Sequence, residues 1–103
     1  MIEKIEDTLL MLGILPSSKG FEPLCMAIEM AINGRTDICK GIYPEIAKEL
    51  GTSATCIERN IRTAISNVCD SSYYEYGGRG FKNKEFIMTL ALKIGREIKH
   101  EQN

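Results

Sequence analysis

Residues 43–68 run YPEIAKELGTSATCIERNIRTAISNV, a pattern that two helices and a tight turn account for. In the first helix, Ile46, Ala47 and Leu50 share one face at spacings of one, three and four residues. Pro44 and Glu45 suit an opening turn, where a missing N–H costs nothing and negative charge meets the positive end of the helix dipole. Gly51 stops this helix, since glycine just past the last turn readily takes a left-handed C-terminal cap. Thr52 or Ser53 can accept the free N–H groups of the helix that follows, which leaves a turn of three residues, Gly51, Thr52 and Ser53.

Placed at about 100° per residue, the second helix divides into two faces. Ile57, Ile61, Ala64, Ile65 and Val68 fall on one arc; Thr55, Glu58, Arg59, Arg62, Thr63 and Ser66 fall on the other. The second arc carries two guanidinium groups, one carboxylate and several small hydroxyl groups, a set suited to base edges. Ala47 in the first helix, Gly51 four positions later and Ile57 early in the second helix match the packing pattern of the DNA-binding helix-turn-helix. Asn60 departs from it, standing where an apolar residue is usual, and Ile61 supplies that contact one step later. The alternative is an ordinary αα-hairpin whose charged outer face is only solvated.

The chain also resembles a known family. Residues 42–50, IYPEIAKEL, followed by Ile57, Glu58, Arg59, Ile61, Arg62, Ala64 and Ile65, resemble the C-terminal effector domain of the sporulation initiation response regulators, the stage-zero sporulation protein A family of endospore-forming Firmicutes. Gly13, then Lys19, Gly20, Phe21, Leu24, Ala27 and Ile28, resemble that family's loop and second helix, and Glu85, Phe86 and Ile87 the start of its last helix. The resemblance implies a sequence-specific transcriptional regulator that reads double-stranded DNA. It carries the direct-readout role to Glu58, Arg59 and Arg62. Chemistry agrees, because arginine can donate two bonds to guanine and glutamate can accept from cytosine. Thr55 stands where the family usually has serine and would contact a phosphate or a base. Cys56 replaces a usual arginine and Thr63 a usual histidine, so two potential donors are lost.

Full-length relatives carry a receiver domain, and none is read in these 103 residues. The chain is therefore either an excised domain or a stand-alone form. Relatives pair through the last helix on tandem sites, which implies a partner-facing role for residues 86–98, with Phe86 and Ile98 at the ends; one amphipathic helix offers less surface than stable interfaces need, so pairing is expected mainly on DNA. A competing reading makes the chain a protein-interaction module that dimerises with a full-length regulator and titrates it. The losses at Cys56 and Thr63 and the acidic balance favour it; Glu58, Arg59 and Arg62 oppose it.

Length and composition bound these readings. At 103 residues, 44% of them hydrophobic, the chain predicts one soluble globular domain spanning residues 1–103. No apolar run approaches the roughly 20 residues that span a bilayer, and Glu3, Glu6 and Asp7 do not fit a signal peptide, so a cytoplasmic location is expected. Cys25, Cys39, Cys56 and Cys69 form no C-x-x-C pair and His100 is the single histidine, which argues against zinc and favours reduced, small core cysteines. With no nucleophile elbow, phosphate-cradling glycine loop or metal-ligand spacing, neither an enzyme nor a cofactor is expected. The net charge of −1 argues against strong non-specific DNA binding, but it is uneven: residues 1–34 carry two basic and five acidic groups, residues 35–69 five and four, and residues 70–103 six and five.

Outside the motif every periodic segment predicts helix. Ile2, Ile5, Leu9 and Leu12 mark a first helix ended by Gly13; Ser17 or Ser18 can cap a second, with Phe21, Leu24, Cys25, Ile28 and Ile32 as its stripe and Met26 and Met30 as packing. Ile38 and Ile42, four apart, predict a helical turn leading into the Tyr43 helix. Asp70, Ser71 and Ser72 look like a cap before a short helix with Tyr73, Tyr74 and Tyr76, broken at Gly77, Gly78, Arg79 and Gly80. That cluster is either an RNA-stacking platform or a loop flanked by core tyrosines. Asn83 opens a last helix with Phe86, Ile87, Leu90, Ala91, Ile94 and Ile98 on one face. Its Lys84, Lys93, Arg96 and Lys99 either touch phosphates, Lys84 foremost, or solvate the helix. The fold expected is all-α, five or six helices, with the helix-turn-helix at its surface.

Overall fold

The computed structural model describes residues 1–68 and 82–102, and every regular element in it is helical. The elements are α1 (Ile2–Met11), α2 (Phe21–Ile32), a π-helical turn (Ile38–Ile42), α3 (Tyr43–Leu50), α4 (Ala54–Ser66) and α5 (Asn83–Gln102). The readings made for Cys69, the Asp70 cap, the three neighbouring tyrosines and the glycine cluster lie outside the described residues.

Helix α2 is the centre of the fold. It packs most extensively against α5 and also against α1, α3 and α4. Its apolar surface is wider than the predicted stripe, since Pro23, Ala27 and Ala31 are buried along with Phe21, Leu24, Cys25 and Ile28. A helix enclosed from several sides is apolar nearly all round. Met26, Met30 and Ile32 pack against this core from partly buried positions. Ser17 and Ser18 do not cap α2: the N-cap is Gly20, with no side-chain cap bond, and Ser18 Oγ instead accepts from the Gly20 N–H at 3.3 Å.

Helix α1 contributes Ile5 and Leu9 to the core, followed by Leu12 and Ile14, but the expected Ile2 is 41% exposed. The period places Ile2 on the face of Ile5 and Leu9, yet burial on that face begins only at Ile5. Lys4 ties the helix to the end of α5 through ion pairs with Glu101 and, at 3.9 Å, Glu97.

The turn predicted between residues 35 and 42 is a π-helix continuous with α3. The Ile42 N–H donates to the Asp37 carbonyl at 2.9 Å, and Ile38 and Ile42 are both buried. Pro44 ends this wider winding, because it lacks the N–H that would extend it. Arg35 fastens the turn by donating to both Asp37 oxygens, at 3.1 and 2.9 Å, while pairing with Glu45 in the first turn of α3. Hydrogen bonding from Arg35 holds the Asp37 carboxyl below its ordinary range.

At the end of α3, Gly51 has φ +69° and ψ +38°, the left-handed cap the sequence predicts, and the Thr52 N–H closes back onto the Ala47 carbonyl at 2.8 Å. Of the two cap candidates for α4, Ser53 takes the position: its backbone is extended and its Oγ accepts from the Cys56 N–H at 3.1 Å. Ser53→Ala should therefore cost about 1 kcal/mol, lowering the melting temperature by about 4 to 8 °C. An unchanged thermal melt would mean the cap bond contributes nothing to stability.

The cysteines divide by position. Cys25 is a core residue, its thiol pushed up to about 12 by burial, which leaves it unreactive. Cys39 is exposed and Cys56 half-buried, so the expectation of core cysteines fails for both. Among the described residues no helix is long and apolar enough to cross a membrane.

Candidate nucleic-acid interface

Helix α4 has the largest separation of faces in the fold. Ile57, Ile61, Ala64 and Ile65 are buried, with Val68 just beyond the helix, whereas Thr55, Arg59, Arg62, Thr63 and Ser66 are exposed and Glu58 is half-buried. Thr55 and Ser66 stand near opposite ends, about 16 Å apart along the axis at 1.5 Å per residue. Glu58 and Arg62, one turn apart, form an ion pair. Such a surface pair is weak, so its members remain free to exchange partners. The Arg59 side chain has no hydrogen bond or ion pair among the described residues. Ser66 donates its hydroxyl proton to the Thr63 carbonyl at 2.6 Å, leaving the oxygen available as an acceptor.

Two flanks frame this helix. On one side, the loop between α1 and α2 brings Ser17, Ser18 and Lys19 beside Asn60, Thr63 and Asn67 around a groove of about 440 Å³. There Gly20 sits so close to α4 that a Cβ added to it would lie 2.3 Å from the Asn60 carbonyl oxygen and 2.7 Å from Ala64 Cβ. This explains the departure at Asn60, whose turn of the helix faces a polar groove and a glycine backbone. Its own amide donates to Cys56 Sγ at 3.6 Å.

On the other side, the start of α5 brings Lys82, Asn83 and Lys84 next to Cys39, Tyr43, Glu58 and Arg62. The structure thus places Lys84 in one groove with Glu58 and Arg62, although 22 and more residues separate them in sequence. Asn83, read only as a helix opener, donates from Nδ2 to the Glu58 carbonyl at 3.0 Å and joins the start of α5 to α4. Sequence reasoning missed this contact together with Lys19 and Lys82 as flanking cations. The runs Lys19-Gly20 and Lys82-Asn83-Lys84 were the available signal, but nothing local says which face of the domain they reach.

With these contacts in place, comparison with known families is decisive. The model of the family described as sporulation initiation factor Spo0A C-terminal matches residues 5–94 of the 103. The chain belongs to this family. The Spo0A C-terminal match covers the whole helix-turn-helix, both flanking segments and the buried face of α5 through Ile94. It establishes the chain as an all-helical, DNA-binding domain of sporulation-initiation regulators. The family is regulatory, not enzymatic.

Proposed function

We propose that residues 1–103 act as a single sequence-specific DNA-binding domain in which α4 enters the major groove. The observation that carries this reading is the exposed face of Thr55, Arg59, Arg62, Thr63 and Ser66, with Glu58 at its edge, set opposite the buried isoleucines that fix the helix in the core. Arg59 and Arg62 serve as donors to guanine, Glu58 as an acceptor from cytosine, and the small hydroxyl groups and Lys84 as backbone contacts. Cys56 and Thr63 shift the preferred sequence away from that of relatives with arginine and histidine there. Selection of bound sequences from random duplexes in a gel shift at moderate salt tests the reading. An enriched motif supports it, and retention of all sequences alike sinks it.

Pairing through residues 86–98 fits this reading only in a restricted form. Phe86, Ile87, Leu90, Ala91 and Ile94 are at most 5% exposed and already serve the domain's own core. What α5 offers a second copy is the strip around Leu92, which is 57% exposed, with Met88, Arg96 and Lys99 beside it. One such strip is small against the roughly 1,200 Å² of total burial typical of a stable interface. The free chain should therefore sediment as a monomer at micromolar concentration and pair on DNA. A tight dimer without DNA would favour titration of a full-length regulator instead.

A further inference from the structure

The groove between α3, α4 and the start of α5 contains an arrangement that base readout does not use. Lys82 accepts the first bond of α5 at its carbonyl, from the Phe86 N–H at 3.0 Å, and is thus the N-cap residue. An ammonium side chain cannot accept, so the N–H groups of Asn83, Lys84 and Glu85 have no hydrogen-bond acceptor among the described residues. They stand at the positive end of a 20-residue helix. Independently, Tyr43 is 2% exposed and its hydroxyl has no hydrogen-bond partner among the described residues.

A buried hydroxyl without a partner is costly and rare. Asn83 stands beside Tyr43 and donates one Nδ2–H to the Glu58 carbonyl at 3.0 Å, and no group among the described residues reaches hydrogen-bond geometry with the phenol oxygen. Tyr43 itself lines the groove with Cys39, Glu58, Arg62 and Asn83, and its buried side chain forms the inner wall. Around the mouth, Lys82, Lys84 and Arg62 outnumber the one carboxylate, Glu58. Glu85 is exposed and does not line the groove. The space, about 460 Å³, admits a phosphate and a bridging water.

We propose that this groove holds one phosphodiester of the DNA backbone, taken by the first N–H groups of α5, Lys82 and Lys84, with the Tyr43 hydroxyl reaching it through a water. The proposal rests on α4 being the major-groove helix. Because Asn83 joins the start of α5 to Glu58, a phosphate held here sets how deeply α4 sits.

Tyr43→Phe removes the hydroxyl and keeps the ring. It should raise the melting temperature, since the unpartnered group is gone, while weakening binding to every duplex about fivefold with unchanged sequence preference. In amide NMR spectra, added duplex should shift the resonances of residues 83–85, and these shifts should shrink in Tyr43→Phe. If duplex shifts the α4 amides but not those of residues 83–85, and Tyr43→Phe binds as wild type, the phosphate site is overturned and the α4 reading stands. If wild type binds no duplex, the α4 reading falls. Shifts at residues 83–85 with inorganic phosphate alone would then make a free phosphate ion the occupant and overturn the DNA assignment.

Discussion

Gly20→Ala is expected to destabilise the domain by about 3 kcal/mol, at the upper end of what overpacking costs, and to lower its melting temperature by about 12 to 24 °C. Gly20 has φ −89°, which any residue can adopt, so backbone conformation does not require a glycine here. Space does. The added Cβ would lie 2.3 Å from the Asn60 carbonyl oxygen, 2.9 Å from its carbon and 2.7 Å from Ala64 Cβ. Two of these atoms are backbone in the middle of α4, and no flexible side chain can yield in their place. Relief requires α2 and α4 to part, which loosens Ile61 and Ala64, both fully buried. The variant should also bind DNA less well, because α4 is displaced relative to both flanks. Gly95→Ala is the matched control: its nearest neighbour would be Ile32 Cγ2 at 3.9 Å, an ordinary contact. In a helix interior that change should stabilise by about 0.5 to 1 kcal/mol. Two glycine substitutions of opposite sign, measured by thermal or denaturant unfolding, test the close approach directly; a Gly20→Ala melt within a degree of wild type would show that the helices do not meet as described.

Arg59→Ala and Arg62→Ala should each weaken binding to the selected sequence by about 1 to 3 kcal/mol and relax the preference at one base pair. Folding should hardly change, because both side chains are exposed and lie opposite Ile57, Ile61 and Ile65; substitutions of this kind stay within about 0.5 kcal/mol. The two variants should differ in one respect. Arg62 gives up its pair with Glu58 to reach a base, whereas Arg59 has no such partner among the described residues. Arg62→Ala therefore also frees Glu58, and its loss of affinity should be the smaller of the two if Glu58 reads a cytosine on its own. Lys84→Ala supplies the contrast, weakening all sequences alike and reducing the salt slope by about one. Specific and random duplex affinities, each with a melting temperature, decide the matter. Wild-type affinity and preference in both arginine variants would remove α4 as the reader. An early melt in both would make the arginines structural.

The stripe of α5 is where local pattern is least specific. Residues 86–98 have the apolar stripe of an interface, yet the same stripe is what α2 needs for the core, and the two uses look alike in a sequence. The stripe alone cannot tell a partner helix in the same chain from one in another copy. Leu92, off that stripe, is the large apolar residue of α5 that is exposed among the described residues.

From sequence alone came the all-α class, the stops at Gly13 and Gly51, the two faces of α4 and the family. Each depends on a local rule: a helical period repeated over three or four turns, a glycine where the chain must turn left-handed, a hydroxyl one residue before a helix. Tertiary structure alone decided that Ser53 rather than Thr52 caps α4, that Ile2 is exposed, that Gly20 presses on the backbone at Asn60, and that Asn83 meets Glu58 across 25 positions. It also left the Tyr43 hydroxyl without a hydrogen-bond partner among the described residues. Periodicity records which face of a helix avoids water, since each turn contributes to that burial independently. It does not record how far apart two helices come to rest, because that distance is set jointly by side chains distant in sequence, through the packing of the whole core.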